Sequence, residues 1–215
     1  MGELLDRFEN DRQGVLDDGE RLVLIGLMNR GMYAQELEDN AGAEKAYRMA
    51  FAGRLKTDGP DHPSTLIAEH NLATSLEALE RYDEALPHYE HVYETETRLA
   101  GPDNPDILVT AHNLAFLYWS MGKPEKAEPL FRDTLERCIR VYGEAHPGTL
   151  TCTRSLCNML TELDRAEEAV EILSERYDIA KQAGATDLPP YFELTNIYAN
   201  ALAKLGRHDE AKAKY

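Results

Sequence analysis

The strongest constraint on this chain is a short segment that returns every 42 residues. Gly59-Pro60-Asp61-His62-Pro63 comes back as Gly101-Pro102-Asp103-Asn104-Pro105 and again as Gly143-Glu144-Ala145-His146-Pro147. A weaker copy starts at Ala185 and keeps Asp187 and Pro189, while one period earlier stands the degenerate Asp17-Asp18-Gly19-Glu20. A fixed period of this length encodes a linear array, because a unit this small cannot bury its apolar face alone and must stack on its neighbours.

Two ladders inside each period say what the unit is. Ala43, Ala85, Ala127, Ala169 and Ala211 fall in register, each followed four residues later by Tyr47, Tyr89, Phe131, Leu173 and Tyr215. Upstream run Leu72-Ala73, Leu114-Ala115, Leu156-Cys157 and Tyr198-Ala199, with Gly31 at the small position of the first copy and Leu76, Tyr118 and Leu160 four residues after their leucines. Spacings of three and four share one helical face, so each period holds two amphipathic helices. Small residues let helices approach, and large ones fill the space beside them.

The corners follow from backbone chemistry. Gly59, Gly101 and Gly143 suit the left-handed residue that ends a helix, and Pro63, Pro105 and Pro147 suit the first turn of the next, where no amide donor is needed. Asp61 and Asp103 are the expected N-terminal caps. Short polar turns, such as Glu80-Arg81-Tyr82-Asp83 and Gly122-Lys123-Pro124-Glu125, force antiparallel hairpins. First helices (A) are predicted near residues 20–37, 63–79, 105–121, 147–163 and 189–205, and second helices (B) near 41–57, 83–99, 125–141 and 167–183. Residues 1–18, with Leu4, Leu5, Phe8, Val15 and Leu16 at helical spacing, are expected to form a capping helix, and 19–215 one repeat domain of about four and a half hairpins.

The small, alanine and aromatic ladders resemble the tetratricopeptide repeat, whose standard period is about 34 residues. About one extra turn per helix accounts for the longer period. The pattern "GPDHPSTLIAEHNLA…LERYDEALPHYEHVYE" is similar to the 42-residue variant of kinesin light chains and their bacterial and fungal relatives. HEAT and armadillo repeats have comparable periods but lack the Asn-Leu-Ala segments at 71–73 and 113–115 and the GPDxP joint. The resemblance implies an all-α, right-handed superhelical solenoid of antiparallel helix pairs, with the A helices lining a concave groove that binds protein or peptide segments. It implies the same use for A-helix positions spared from packing: His70, Asn71, Thr74 and Glu77; His112, Asn113, Phe116 and Trp119; Arg154, Ser155, Asn158 and Thr161; Asn196, Ile197, Asn200 and Ala203.

Asparagine amides are bidentate and can hold an extended peptide backbone. Asn71, Asn113, Asn158, Asn196 and Asn200 are candidates for that role, though Asn71 and Asn113 could instead bond neighbouring helix termini. Phe116 and Trp119, three residues apart, offer an apolar anchor or belong to the core. A carboxylate clamp like that of chaperone-binding relatives needs two cations, and only Arg154 and Lys204 are expected to face the groove.

Charge bounds the partner. Twenty-three basic against 39 acidic residues give a net charge of −16, which disfavours direct binding to nucleic acid or to an anionic membrane. Residues 59–100 carry nine acids and two bases, residues 101–142 six and five, so a basic or apolar partner is favoured at the second repeat. No membrane span or secretory leader is visible, and the chain reads as cytoplasmic. Cys138, Cys152 and Cys157 lack zinc or CxxC spacing and are expected to be reduced, buried thiols.

No nucleotide, hydrolase, zinc-protease or EF-hand motif is present, and no cofactor or metal is expected. His88 and His91, near Glu90 and Glu94, form either solvated helix surface or a metal pair. Three functions stay open: a non-catalytic interaction module or scaffold, a homo-oligomer assembling through terminal helices, and a small-molecule or catalytic protein using His70, His112 and Arg154. The chain stops at Lys214-Tyr215, about two turns into a fifth B helix. That leaves the last A helix without its full partner, hence the expectation of a longer array or of an end covered by another subunit.

Overall fold

The computed structural model describes residues 18–214, and every regular element among them is helical. The A helices are α1 (Asp18–Glu36), α3 (Pro63–Ala78), α5 (Pro105–Ser120), α7 (Pro147–Glu162) and α9 (Pro189–Lys204). Alternating with them are the B helices α2 (Asn40–Thr57), α4 (Tyr82–Ala100), α6 (Pro124–Tyr142), α8 (Ala166–Gln182) and the short α10 (His208–Lys212). These spans lie within about two residues of those read from the repeat, apart from the first residues of α10, which the sequence placed only as an incomplete B helix. The capping helix expected before Asp18, and the last rung of the aromatic ladder at Tyr215, lie outside the described residues.

Each A helix from the second repeat on begins with proline at its first turn, where a missing N–H costs nothing. The caps are not the expected Asp61 and Asp103 but the residues after them. His62 Nδ1 accepts the Ser64 amide at 3.2 Å, Asn104 Oδ1 the Asp106 amide at 2.9 Å, and His146 Nδ1 the Gly148 amide at 3.1 Å. A cap must sit immediately before the first helical residue to reach the second or third amide, and Pro63 and Pro105 leave that place to His62 and Asn104. The aspartates serve the following B helix instead: Asp61 accepts from Arg98 at 2.7 Å, and Asp103 from Arg140 Nε at 3.0 Å.

At the hairpin turns one register position, Glu38, Glu80, Gly122, Asp164 and Gly206, takes positive φ in every repeat, between 57° and 73°. Glycine occupies it twice; the other three copies hold a side chain in the left-handed region. B helices start with Asp83 and Glu84, Glu125, or Glu167 and Glu168, which complement the positive end of the helix dipole.

The chain divides into two compact units, one up to Leu99 and one from Ala100. In the first, α1 packs on α2 and α2 on α3. Ala43, Tyr47, Leu72, Ala73, Leu76, Ala85 and Tyr89 are fully buried, so both ladders form the interior. In the second, α5 to α10 pack sequentially, α9 touching both α7 and α8. Ala127, Phe131, Leu150, Cys157, Leu160, Ala169 and Leu173 are fully buried there. Adjacent B helices are also joined at the surface, where Arg81 reaches Glu84 and Glu44, and Arg165 reaches Glu168 and Glu128.

Candidate partner-binding site

The groove positions read from the sequence lie along one face of each A helix. On α3, His70 stands edge-on to Tyr89, ring centroids 5.5 Å apart. Thr74 is spent on packing: its hydroxyl lies 3.1 Å from the His70 carbonyl and 2.9 Å from the Tyr89 hydroxyl. Tyr89 in turn donates to Glu77 at 2.8 Å. Burial raises the Glu77 carboxyl above the usual range, and the Tyr89 bond partly offsets this. Asn71 is half-buried and makes no side-chain hydrogen bond among the described residues.

In the second unit α5, α7 and α9 are bridged by side chains from this same face. His112 Nε2 meets Ser155 Oγ at 2.9 Å, Arg154 pairs with Glu193 at 3.0 Å, and Lys204 donates to the Thr161 carbonyl at 2.6 Å. Both candidate clamp cations, Arg154 and Lys204, are therefore engaged inside the array, and Lys204 caps the carbonyl end of α7. Asn113 faces His112 at 3.5 Å, whereas Asn158, Asn196 and Asn200 have no side-chain partner among the described residues, the last two being exposed. Phe116 is 37% exposed and meets the half-buried Trp119 edge-on at 5.5 Å. Trp119 packs against the core, so only part of that pair faces outward.

Three apolar residues that the groove count passed over are exposed on their own A helices. Ile25, Ile67 and Val109 share one register position and are 47%, 55% and 53% exposed. The signal was present in the sequence as three β-branched residues one period apart.

Val109 borders a mainly apolar pocket of about 440 Å³ in the second unit. Leu108, His112 and Asn113 of α5, Tyr142 of α6 and Thr151 of α7 line it, with Cys138 and Cys152 side by side in its wall. Volumes of this size match ordinary ligand pockets. Burial holds the His112 imidazole below its usual range and so keeps it neutral, with the nearby Arg154 charge acting in the same sense and the Asn113 bond against it.

His88 and His91 share a partner on the neighbouring A helix. Both Nδ1 atoms converge on Glu69 of α3, at 2.9 and 2.7 Å, and that carboxylate is 4% exposed. Among the described residues no cluster of three or more His, Cys, Asp or Glu side chains is arranged to hold a metal ion.

A family model, the tetratricopeptide repeat, matches residues 22–95, 65–136 and 106–182. The chain belongs to the tetratricopeptide-repeat family. Solved tetratricopeptide arrays share its fold. A Podosopora anserina protein of nearly identical TPR-like repeats, assigned as a kinesin light chain, superposes with a TM-score of 0.82 at 22% identity over 93% of both chains. BtubC from P. vanneervenii gives 0.73 at 19% identity, covering 86% of this chain and 73% of its own. The Rap protein complexed with Competence and Sporulation Factor gives 0.64 at 14% identity, over 93% of this chain and 63% of that one. No curated protein matches this tetratricopeptide chain significantly. Tetratricopeptide proteins serve generally as protein interaction modules, and among the described residues no helix is long and apolar enough to cross a membrane.

Proposed function

We propose that this tetratricopeptide array is a non-catalytic module that binds an apolar protein segment on the A-helix face of its second unit, with basic segments favoured at its first. The observation that carries this reading is the set of unpaired amides Asn158, Asn196 and Asn200 on α7 and α9, beside the exposed apolar edge of Val109 and Phe116 on α5. Amides without an internal partner can each exchange two hydrogen bonds with an extended backbone. The apolar edge supplies the contact that gives such a segment affinity, while side-chain pockets supply selectivity. Arg154 is held by Glu193 and orients the face rather than gripping a terminal carboxylate. In the first unit His70, Asn71 and Ile67 hold the corresponding positions, in a stretch with net charge −7. Charge of that density favours lysine- or arginine-bearing partners.

Binding of immobilised basic and apolar peptide arrays tests the reading. Against any peptide that binds, Asn158→Ala combined with Asn200→Ala is expected to weaken affinity about tenfold, roughly 1.4 kcal/mol. Phe116→Ala is expected to weaken it further, with helical content unchanged. Unaltered affinity in the triple variant would remove the second unit's A-helix face as the site.

A further inference from the structure

Cys138, in the last turns of α6, and Cys152, in the second turn of α7, place their sulfurs 3.5 Å apart in the wall of the 440 Å³ pocket. Both are free thiols. The hairpin architecture does not require cysteine at either place. One period on, the equivalent residues are Ala180 and Leu194, and one period back Glu96 and Thr110. The third cysteine, Cys157, supplies an internal contrast: it is fully buried, has no sulfur neighbour, does not line the pocket, and burial pushes its thiol up to about 12.

We propose that Cys138 and Cys152 are a modification site, at which a small hydroperoxide admitted by the pocket converts the two thiols into an intramolecular disulfide. Cys138 is the attacking sulfur. Hydrogen bonding from the Cys152 thiol lowers the pKa of Cys138 below the usual thiol range, although burial opposes this, and the same bond together with burial pushes the Cys152 thiol up. The thiolate is the nucleophile in such chemistry, so the pair is polarised in one direction.

The Cys138 sulfur attacks the nearer peroxide oxygen and the O–O bond breaks. This leaves a sulfenic acid on Cys138, and the departing alkoxide takes the thiol proton as alcohol, or as water if the oxidant is hydrogen peroxide. The Cys152 sulfur then attacks the sulfenic sulfur, an S–S bond forms, the S–O bond breaks, and hydroxide leaves with the Cys152 proton as water. Two thiols lose two electrons and the peroxide gains them. Closing 3.5 Å to a bond of about 2.05 Å draws the end of α6 toward α7 and narrows the pocket between them. The inference does not rest on the binding role proposed above, since it concerns only the thiols and their access.

The test is peptide mapping of the whole protein without reductant after treatment with hydrogen peroxide and, separately, tert-butyl hydroperoxide. The expected result is loss of two free thiols, a cross-linked peptide joining Cys138 to Cys152, reversal by dithiothreitol, and Cys157 still reduced. Cys157→Ser should keep the cross-link, and Cys138→Ser and Cys152→Ser should each abolish it. Folded wild-type protein that retains all three thiols under both oxidants overturns the proposal. So does a cross-link through Cys157, or one formed only between chains.

Discussion

Gly31 lies so close beneath the ring of Tyr47 that a Cβ added there would collide with three ring carbons. Tyr47 is fully buried and its hydroxyl donates to Gln35 at 2.6 Å, so the ring is fixed at both ends. The other copies carry Ala73, Ala115, Cys157 and Ala199 at this position; the first repeat packs α2 against α1 one methyl group tighter.

Gly31→Ala is accordingly expected to destabilise the protein. Overpacking costs about 1–3 kcal/mol, which outweighs the gain of about 1 kcal/mol from replacing a mid-helix glycine. Ala73→Gly should also destabilise, by about 1 kcal/mol through helix propensity and by about 0.8 kcal/mol more through the buried methyl it removes. Urea denaturation of the two variants separates the mechanisms, because only Gly31→Ala should be relieved by a second change, Tyr47→Leu.

The left-handed turn position yields the opposite pair of changes. Glu80 sits at φ 58° and Gly122 at φ 69° in equivalent turns. A side chain in that region costs roughly 1–2 kcal/mol, partly offset by its smaller entropy loss relative to glycine. Glu80→Gly should therefore raise stability by up to about 1 kcal/mol and Gly122→Ala lower it by a similar amount, both read from chemical denaturation midpoints.

His112 makes stability depend on pH. Its folded-state pKa is depressed from 6.5, chiefly by burial, so the unfolded chain binds the proton more readily. The contribution is present in full above about 6.5 and is lost as pH falls through the folded value. Wild-type protein should lose stability between pH 7.5 and 5 more steeply than His112→Gln, when denaturation midpoints are compared across that range. Equal slopes would mean that the imidazole is not held neutral by its surroundings.

Arg154 should matter through Glu193 rather than through a ligand. Arg154→Met is expected to lower thermal stability slightly while leaving peptide affinity unchanged. Glu193→Gln should have a similar, salt-sensitive effect, because a partly exposed ion pair contributes little. A loss of peptide binding in Arg154→Met with stability intact would reinstate this guanidinium as a ligand-binding group.

Helix positions and the small-to-large ladders were legible in the sequence because each is set by residues within one period, and the period repeats often enough to average out local noise. Gly59, Gly101 and Gly143 were legible as left-handed residues for the same reason. The caps were misplaced by one residue, since Asp61 and His62 both carry acceptors and only the location of the first helical turn decides between them. The Glu69 cluster was hidden altogether: 19 and 22 residues separate its carboxylate from His88 and His91, and nothing in a helical wheel of α4 points to α3. The unpaired state of Asn158, Asn196 and Asn200, against the engaged state of Asn113, was equally invisible. It depends on which neighbours come within hydrogen-bonding distance, not on register.

The reach of the side-chain bonds has one more consequence. The bonds from His112 to Ser155 and from Lys204 to Thr161 each span 43 positions, about one period. Partners of this kind lie one hairpin apart, so the array can grow or shorten by duplication. A gain or loss of a whole number of 42-residue periods keeps both ladders in register, whereas other lengths break it. For a lineage built this way, the natural unit of heritable change is the hairpin rather than the residue.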